Sequence, residues 1–277
     1  MAKMKVLITV KTYPTLSEKY DELVCTAGIT EDGRWIRIYP IPFRKLDYEQ
    51  QYPKWSIVEV DLVKNSSDFR PESYKPASLD NPITIIKKID TKNNWEERKK
   101  WVLKDVRNDL QALIDEAKDE NKQTSLATFK PSKIYGMIVE SLDREWDKDK
   151  LKAIKDRQKQ GNLFEGFENP FEVVNKLPYK FSYEFEDSKG KRSTLMVEDW
   201  EIGQLYWNCL KRNEGDEQKA CEEVVAKYEG FIKNNDIYFF LGTTLEFHRR
   251  RAHNPFIIIG VFYPLKPKED PQLKFSF

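Results

Sequence analysis

Three stretches of this 277-residue chain combine side chains whose types and spacing can do chemistry. The first is Gly33-Arg34-Trp35-Ile36-Arg37-Ile38-Tyr39-Pro40-Ile41-Pro42-Phe43-Arg44. Side chains alternate along a strand, so Ile36 and Ile38 enter a core while Trp35, Arg37 and Tyr39 share the opposite face. A row of aromatic, cation and aromatic on the face of a small barrel stacks bases and holds phosphates. Arg34, Arg44 and Lys45 extend that face, as do Arg70, Tyr74 and Lys75 from the loop 64–75. The same alternation also suits a second layer, contributed by the C-terminal half, that covers Trp35 and Tyr39 and pairs Arg37 with an acid.

The second stretch is Val197-Glu198-Asp199-Trp200-Glu201-Ile202-Gly203-Gln204-Leu205-Tyr206. Asp199 stands where a helix begins, and an aspartate there accepts backbone N–H bonds and complements the helix dipole. Asp199 and Glu201 are alternatively a carboxylate pair for Mg²⁺ or for acid–base work, given further oxygen ligands from elsewhere. The third stretch, Glu246-Phe247-His248-Arg249-Arg250-Arg251-Ala252-His253-Asn254, gathers both histidines and three consecutive arginines. Guanidinium forks bind phosphate oxygens in pairs, so phosphate contact by Arg249, Arg250 and Arg251 ranks ahead of base catalysis by His248 or His253. A charge run in a hairpin loop is also commonly no more than a solvated surface.

Two weaker patterns are set aside. Glu59-Val60-Asp61-Leu62-Val63-Lys64 resembles the acid-x-Lys strand of metal-dependent nucleases, but alternation puts Asp61 and Lys64 on opposite faces. The run Asp236-Ile237-Tyr238-Phe239-Phe240-Leu241-Gly242-Thr243 has one glycine and lacks the lysine of a phosphate loop. Cys25, Cys209 and Cys221 are far apart, form no CxxC pair and do not combine with the two histidines at zinc spacing. A disulfide framework is not expected, and a reducing compartment is.

The elements that must position these residues follow from hydrophobic periodicity. Residues 6–10, 23–30, 35–39, 57–64 and 83–89 read as strands, with Asp32-Gly33 in a tight turn and Val58, Val60 and Leu62 on one face. Five short strands joined by proline-rich loops predict a small barrel of the OB or SH3-like kind. Asn94 with Glu97 resembles a capping box, and Val102, Val106, Leu110, Leu113 and Ala117 recur at steps of four and three, predicting one long helix. A strand at 134–140, a charged exposed helix or connection at 143–161 and a Phe-rich segment at 163–178 come next. A hairpin (179–186 with 194–198), helices at 200–211 and 217–233 and strands at 237–241 and 256–263 complete the chain.

Composition narrows the functional classes. Lys plus Arg number 47 against 46 Asp plus Glu, for a formal net charge of +1, although 34% of residues are charged. A basic nucleic-acid coat and an acidic tail are therefore excluded, and electrostatic binding must come from local patches. Aromatic residues make up 13%, which supplies the large apolar area of a folded core. The N-terminal apolar run is short and ends at Lys11, and the run 255–265 is about half a membrane span, so the expected location is cytoplasmic.

The motifs Thr26-Ala27-Gly28, Gly33-x-Trp35-x-Arg37, Tyr39-Pro40-Ile41-Pro42-Phe43-Arg44, Lys180-Phe181-Ser182-Tyr183, Asp199-Trp200-Glu201-Ile202-Gly203-Gln204-Leu205-Tyr206 and Phe239-Phe240-Leu241-Gly242-Thr243 carry a resemblance over most of the chain. They resemble an uncharacterised family of bacterial proteins carried on variable genomic islands. That resemblance implies a Cys/His metal knuckle in the turn before the Asp-Trp-Glu motif, but residues 186–193 here hold neither Cys nor His. The Gly-x-Trp-x-Arg strand is also similar to that of dual OB-fold proteins linked to nucleic-acid-directed defence.

The resulting expectation is an α+β protein with an N-terminal barrel and long helix (1–142), a charged connection (143–162) and a C-terminal α+β domain (163–277). The leading function is binding of single-stranded or structured nucleic acid, without a cofactor and without membrane association, in a bacterial defence or mobile-element system. One alternative is a Mg²⁺-dependent hydrolase or nuclease using Asp199, Glu201, His248 and His253. Another is a non-catalytic subunit that binds a protein encoded nearby.

Overall fold

A computed structural model describes residues 2–78, 81–165 and 171–266. The N-terminal third supplies seven strands: β1 (Ala2–Lys11), β2 (Thr15–Ser17), β3 (Asp21–Thr30), β4 (Trp35–Ile41), β5 (Ser56–Lys64), β6 (Ser73–Pro76) and β7 (Thr84–Lys88). Five of them close a ring. β1 pairs with β3 and β5, β3 pairs with β4, and the short β6 bridges β4 and β5. The β4–β6 contact is parallel and the rest are antiparallel, a Greek-key closure of the OB-like kind. Val6, Ile8, Val24, Ile36, Ile38, Val58, Val60 and Leu62 fill the barrel, each at most 3% exposed.

The alternation read at 36–38 and 58–62 is therefore the barrel's inward face. The fifth barrel strand is Ser73–Pro76, whereas 84–88 pairs outside the ring on β5. β6 is four residues long and carries no apolar alternation, so nothing in its composition marks it as a strand.

The predicted long helix is two helices. α1 (Lys92–Val102) and α2 (Leu110–Lys118) are separated by β8 (Val106–Arg107), which pairs in parallel with β9 (Leu126–Phe129). Asp109 starts α2 by accepting the Ala112 N–H, so the chain has a second cap where the apolar spacing showed continuity. Asn94 does not cap α1. It has a positive φ and exchanges two hydrogen bonds with the Leu265 backbone.

The remaining elements are β10 (Lys133–Ser141), α3 (Lys148–Glu165), β11 (Tyr179–Glu186), β12 (Arg192–Met196), α4 (Trp200–Arg212), α5 (Glu217–Asn234), β13 (Tyr238–Thr243), α6 (Leu245–Arg249) and β14 (Phe256–Phe262). β14, β13, β9 and β8 form one sheet and β10, β11 and β12 another, joined where Val197 bridges Ile258. The Phe-rich segment at 163–178 lies partly outside the described residues, at 166–170. Among the described residues no helix is long and apolar enough to cross a membrane.

The two halves share a core. A bulge between Ile8 and Val10 lets β1 send Val6 and Ile8 into the barrel and Leu7 and Val10 outward. Leu7, Val10, Ala27 and Ile29 meet Phe240, Ile257, Ile259 and Phe262 of the C-terminal half, with Val102 of α1 alongside. Phe240 is fully buried, its ring 5.2 Å from Trp35 and 6.2 Å from both Trp55 and Phe262. Phe240→Ala will therefore lower stability by about 3–5 kcal/mol, within a single transition. Thermal unfolding followed by tryptophan fluorescence and far-UV dichroism checks this; two separated transitions with an unshifted barrel would contradict it.

Candidate functional site

The outer row of β4 is covered most deeply at its middle residue. Half-buried Trp35 meets the Phe240 ring edge-on, Arg37 is 3% exposed, and Tyr39 at the far end is 36% exposed. The C-terminal half therefore covers Trp35 and Arg37, which corrects the open aromatic–cation–aromatic face expected from sequence. Beyond the covered part, the row opens into a pocket of about 670 Å³. The loop between β1 and β3 supplies Thr15, Lys19 and Tyr20 to its wall, β3 supplies Cys25, and β4 supplies Arg37 and Tyr39. Asn65, Asp68 and Arg70 come from the β5–β6 loop, while Glu198, Thr243, Ile257 and Ile259 come from the C-terminal half.

Two buried guanidinium groups form the pocket's fixed charge. Arg37 donates from Nη1 to Ser125 Oγ (2.8 Å) and Ser73 Oγ (3.3 Å), and from Nη2 to the Ser125 carbonyl (3.3 Å). Arg70 grips Asp68 through Nε (2.9 Å) and Nη2 (2.5 Å) and donates from Nη1 to the Thr243 carbonyl (2.6 Å). Burial alone would raise the Asp68 carboxyl, but the Arg70 fork and the Ser73 hydroxyl hold it at about 2. Burial and the neighbouring Arg70 charge both lower the Arg37 pKa. The pocket wall thus carries four cations, Lys19, Arg37, Arg70 and Lys75, against the two carboxyls of Asp68 and Glu198.

Glu198 differs from its neighbours. Its backbone is clamped between sheets, because Val197 N–H donates to the Phe181 carbonyl and Glu198 N–H to the Ile258 carbonyl, both at 2.8 Å. No side chain among the described residues bonds its carboxyl, and burial pushes that group up to about 7. Cys25 lies beside it, its thiol raised chiefly by burial and further by the Glu198 charge.

At one edge, Phe69 is 43% exposed and meets the His248 ring edge-on at 5.2 Å. His248 is 4% exposed, its Nδ1 lies 2.9 Å from Thr243 Oγ1, and burial lowers its pKa, so it is a neutral packed side chain at pH 7. α6 carries Phe247 at 44% exposure and presents Arg249 on the surface, with Arg250 paired to Glu246 (2.8 Å). Arg251 binds Glu120 (3.0 Å) and the Lys118 carbonyl (3.2 Å). Part of the segment read as a loop is thus a short helix, started by the Thr244 hydroxyl on the Phe247 N–H.

The other candidates stand elsewhere. Arg34 pairs with Asp32 (2.6 Å) in the β3–β4 turn, Arg44 with Glu22 (2.8 Å), and the Tyr74 ring lies under Lys64 (4.1 Å). Asp199 is 1% exposed, caps α4 at the Glu201 N–H and binds Lys54 Nζ (2.9 Å), which also reaches Glu201 (3.2 Å). His253 is exposed, and its carbonyl accepts from Lys118. Asp199, Glu201, His248 and His253 are not brought together, and no three His, Cys, Asp or Glu among the described residues are placed to hold a metal ion. Of the ten residues read as a binding face, the structure gathers Arg37, Tyr39 and Arg70 in one pocket. Sequence reasoning missed Asp68 and Glu198. The Asp-x-Arg spacing of Asp68 and Arg70 was a signal for the first, and nothing local marked the second.

The raised Glu198 carboxyl has a testable sign. Its ordinary value is 4.5, so above about 7 the fold carries a charge that the unfolded chain tolerates better. Below 4.5 the group is neutral in both states, and the penalty grows as pH rises through that window. Glu198→Gln will therefore raise Tm by a few degrees at pH 8 and leave it unchanged at pH 4. Melting curves at the two pH values check this, and equal shifts at both would refute it.

No curated protein matches the chain in sequence. Residues 2–104 match a domain of unknown function, DUF8758, and residues 106–276 match a second, DUF8757. Because the second match spans more than half of the 277 residues, the chain belongs to the DUF8757 family, with a DUF8758-like segment preceding it.

Proposed function

We propose that this protein binds single-stranded nucleic acid and takes one nucleotide into the junction pocket. The observation that carries this reading is the pocket's place on the barrel. It lies over the second and third barrel strands, between the loop that follows the first strand and the loop that joins the fourth and fifth. OB-type barrels take oligonucleotides on that face. At about 670 Å³ the pocket is within the size range of small-ligand sites.

The wall chemistry suits an anionic, aromatic ligand. Arg37 and Arg70 have their donors committed to protein acceptors, so they supply a fixed positive field. Lys19, which lies over the Tyr20 ring at 5.1 Å, and Lys75 are the cations left for phosphate. The rings of Tyr39 and Tyr20 offer stacking surfaces. From the pocket edge, Phe69 leads to His248 and so to Phe247 and Arg249 on α6 and to Arg250 just beyond it, which gives a strand leaving the pocket further aromatic and cationic contacts.

Trp35 is part of the shared core, so Tyr39 is the discriminating substitution. Tyr39→Ala will weaken binding of single-stranded oligonucleotides by about 1–3 kcal/mol, the usual worth of one stacked base, with an unchanged Tm. Because few cations are free, the salt dependence will be shallow, corresponding to about two to four phosphates at a slope near −0.7 each. Fluorescence anisotropy with labelled single-stranded and duplex DNA and RNA at two salt concentrations checks both points. Absence of binding at low salt, or affinity indifferent to Tyr39, would sink the reading.

A further inference from the structure

We propose that Glu198 is the base-reading residue of the junction pocket and that it selects guanine. This inference rests on the nucleotide-binding reading above and adds specificity to it. The other buried charges of the pocket are consumed by the protein. Arg37 is spent on Ser73, Ser125 and Thr243, Arg70 on Asp68 and Thr243, and Asp68 on Arg70 and Ser73. The Glu198 carboxyl is the exception. It lines the cavity half-buried, with no hydrogen-bond partner among the described residues, on a backbone held from both sides by Phe181 and Ile258.

A carboxyl that lines a pocket without a protein partner loses its water when a ligand enters, so a ligand that donates to it is favoured over one that does not. When ionised it has only acceptors, two adjacent oxygens that match two adjacent N–H groups. Among the bases, guanine presents such an edge, with N1–H beside the exocyclic N2 amino group. Adenine and cytosine set a donor next to an acceptor, and thymine flanks one donor with two acceptors, so each turns a lone pair toward a carboxylate. Cys25 from β3 is the titratable group that interacts with Glu198; Arg37, Asp68 and Arg70 share the pocket wall, as do Lys19, Tyr20, Tyr39 and Lys75 toward its mouth. β13 and β14 contribute the apolar side chains Ile257 and Ile259 and the Gly242–Thr243 backbone.

The test uses thymidine octamers with a central deoxyguanosine, deoxyinosine or deoxyadenosine, measured by anisotropy at pH 8, where Glu198 is ionised. The guanine octamer should bind about tenfold more tightly than the adenine one, the scale of one good bidentate base contact. Inosine, which keeps N1–H and lacks the amino group, should fall between them. Glu198→Gln, whose melting curve shows that it folds, should erase the guanine preference. Equal affinity for the three octamers, or a guanine preference that survives in Glu198→Gln, overturns the assignment of Glu198 while leaving single-strand binding in place. Failure of every octamer to bind overturns both.

Discussion

The architecture turns on a guanidinium buried between two sheets. Arg37 leaves the barrel through the outward face of β4 and enters the C-terminal half, where Ser125 and Thr243 accept its protons. A charge in that position is tolerable only while all its hydrogen bonds persist, since an unpaired buried ion costs several kcal/mol. Glu72 fixes the arrangement from behind: its backbone carbonyl accepts the Arg37 N–H and its carboxylate takes both the N–H and the hydroxyl of Ser125. Arg37 thereby ties the barrel to the sheet at the inner end of the pocket, whose wall it shares.

A second ionic contact pins the other side of the junction. Lys54, 7% exposed, sits against Asp199 and Glu201 at the start of α4. Lys11 lies nearby, its amine 4.2 Å from the Phe43 ring and 5.3 Å from that of Trp200, and burial together with the Lys54 charge lowers its pKa to about 8. The acids that looked like a metal pair are counter-charges for lysines brought in by the barrel. Their position at a helix N-terminus suits the capping role, and Lys54, distant in the chain, is the partner that sequence could not show.

How far the sequence was legible follows from the range of each signal. Alternation at 36–38 and 58–62 is local and correctly assigned the barrel interior. The fate of the opposite face was not local. Trp35, Arg37 and Tyr39 have the same pattern whether solvent or Phe240 lies above them, and only the fold shows coverage that is deepest at Arg37 and lapses at Tyr39. The spacing of Val102, Val106 and Leu110 suited a helix, but Val106 belongs to β8, and short strands paired at an edge carry no periodicity. Glu198 was hidden for a related reason. A lone acid beside a helix cap looks ordinary until two sheets deliver it to the wall of a cavity.

The bulge in β1 has a consequence for inheritance. Because one strand lines two cores, the barrel cannot be cut from the chain without baring Leu7, Val10, Ala27, Ile29 and Trp35 as a continuous greasy surface. A gene fragment encoding the first hundred residues would yield a product prone to self-association. Recombination that swaps one of the two segments must therefore bring a matching apolar seam with it.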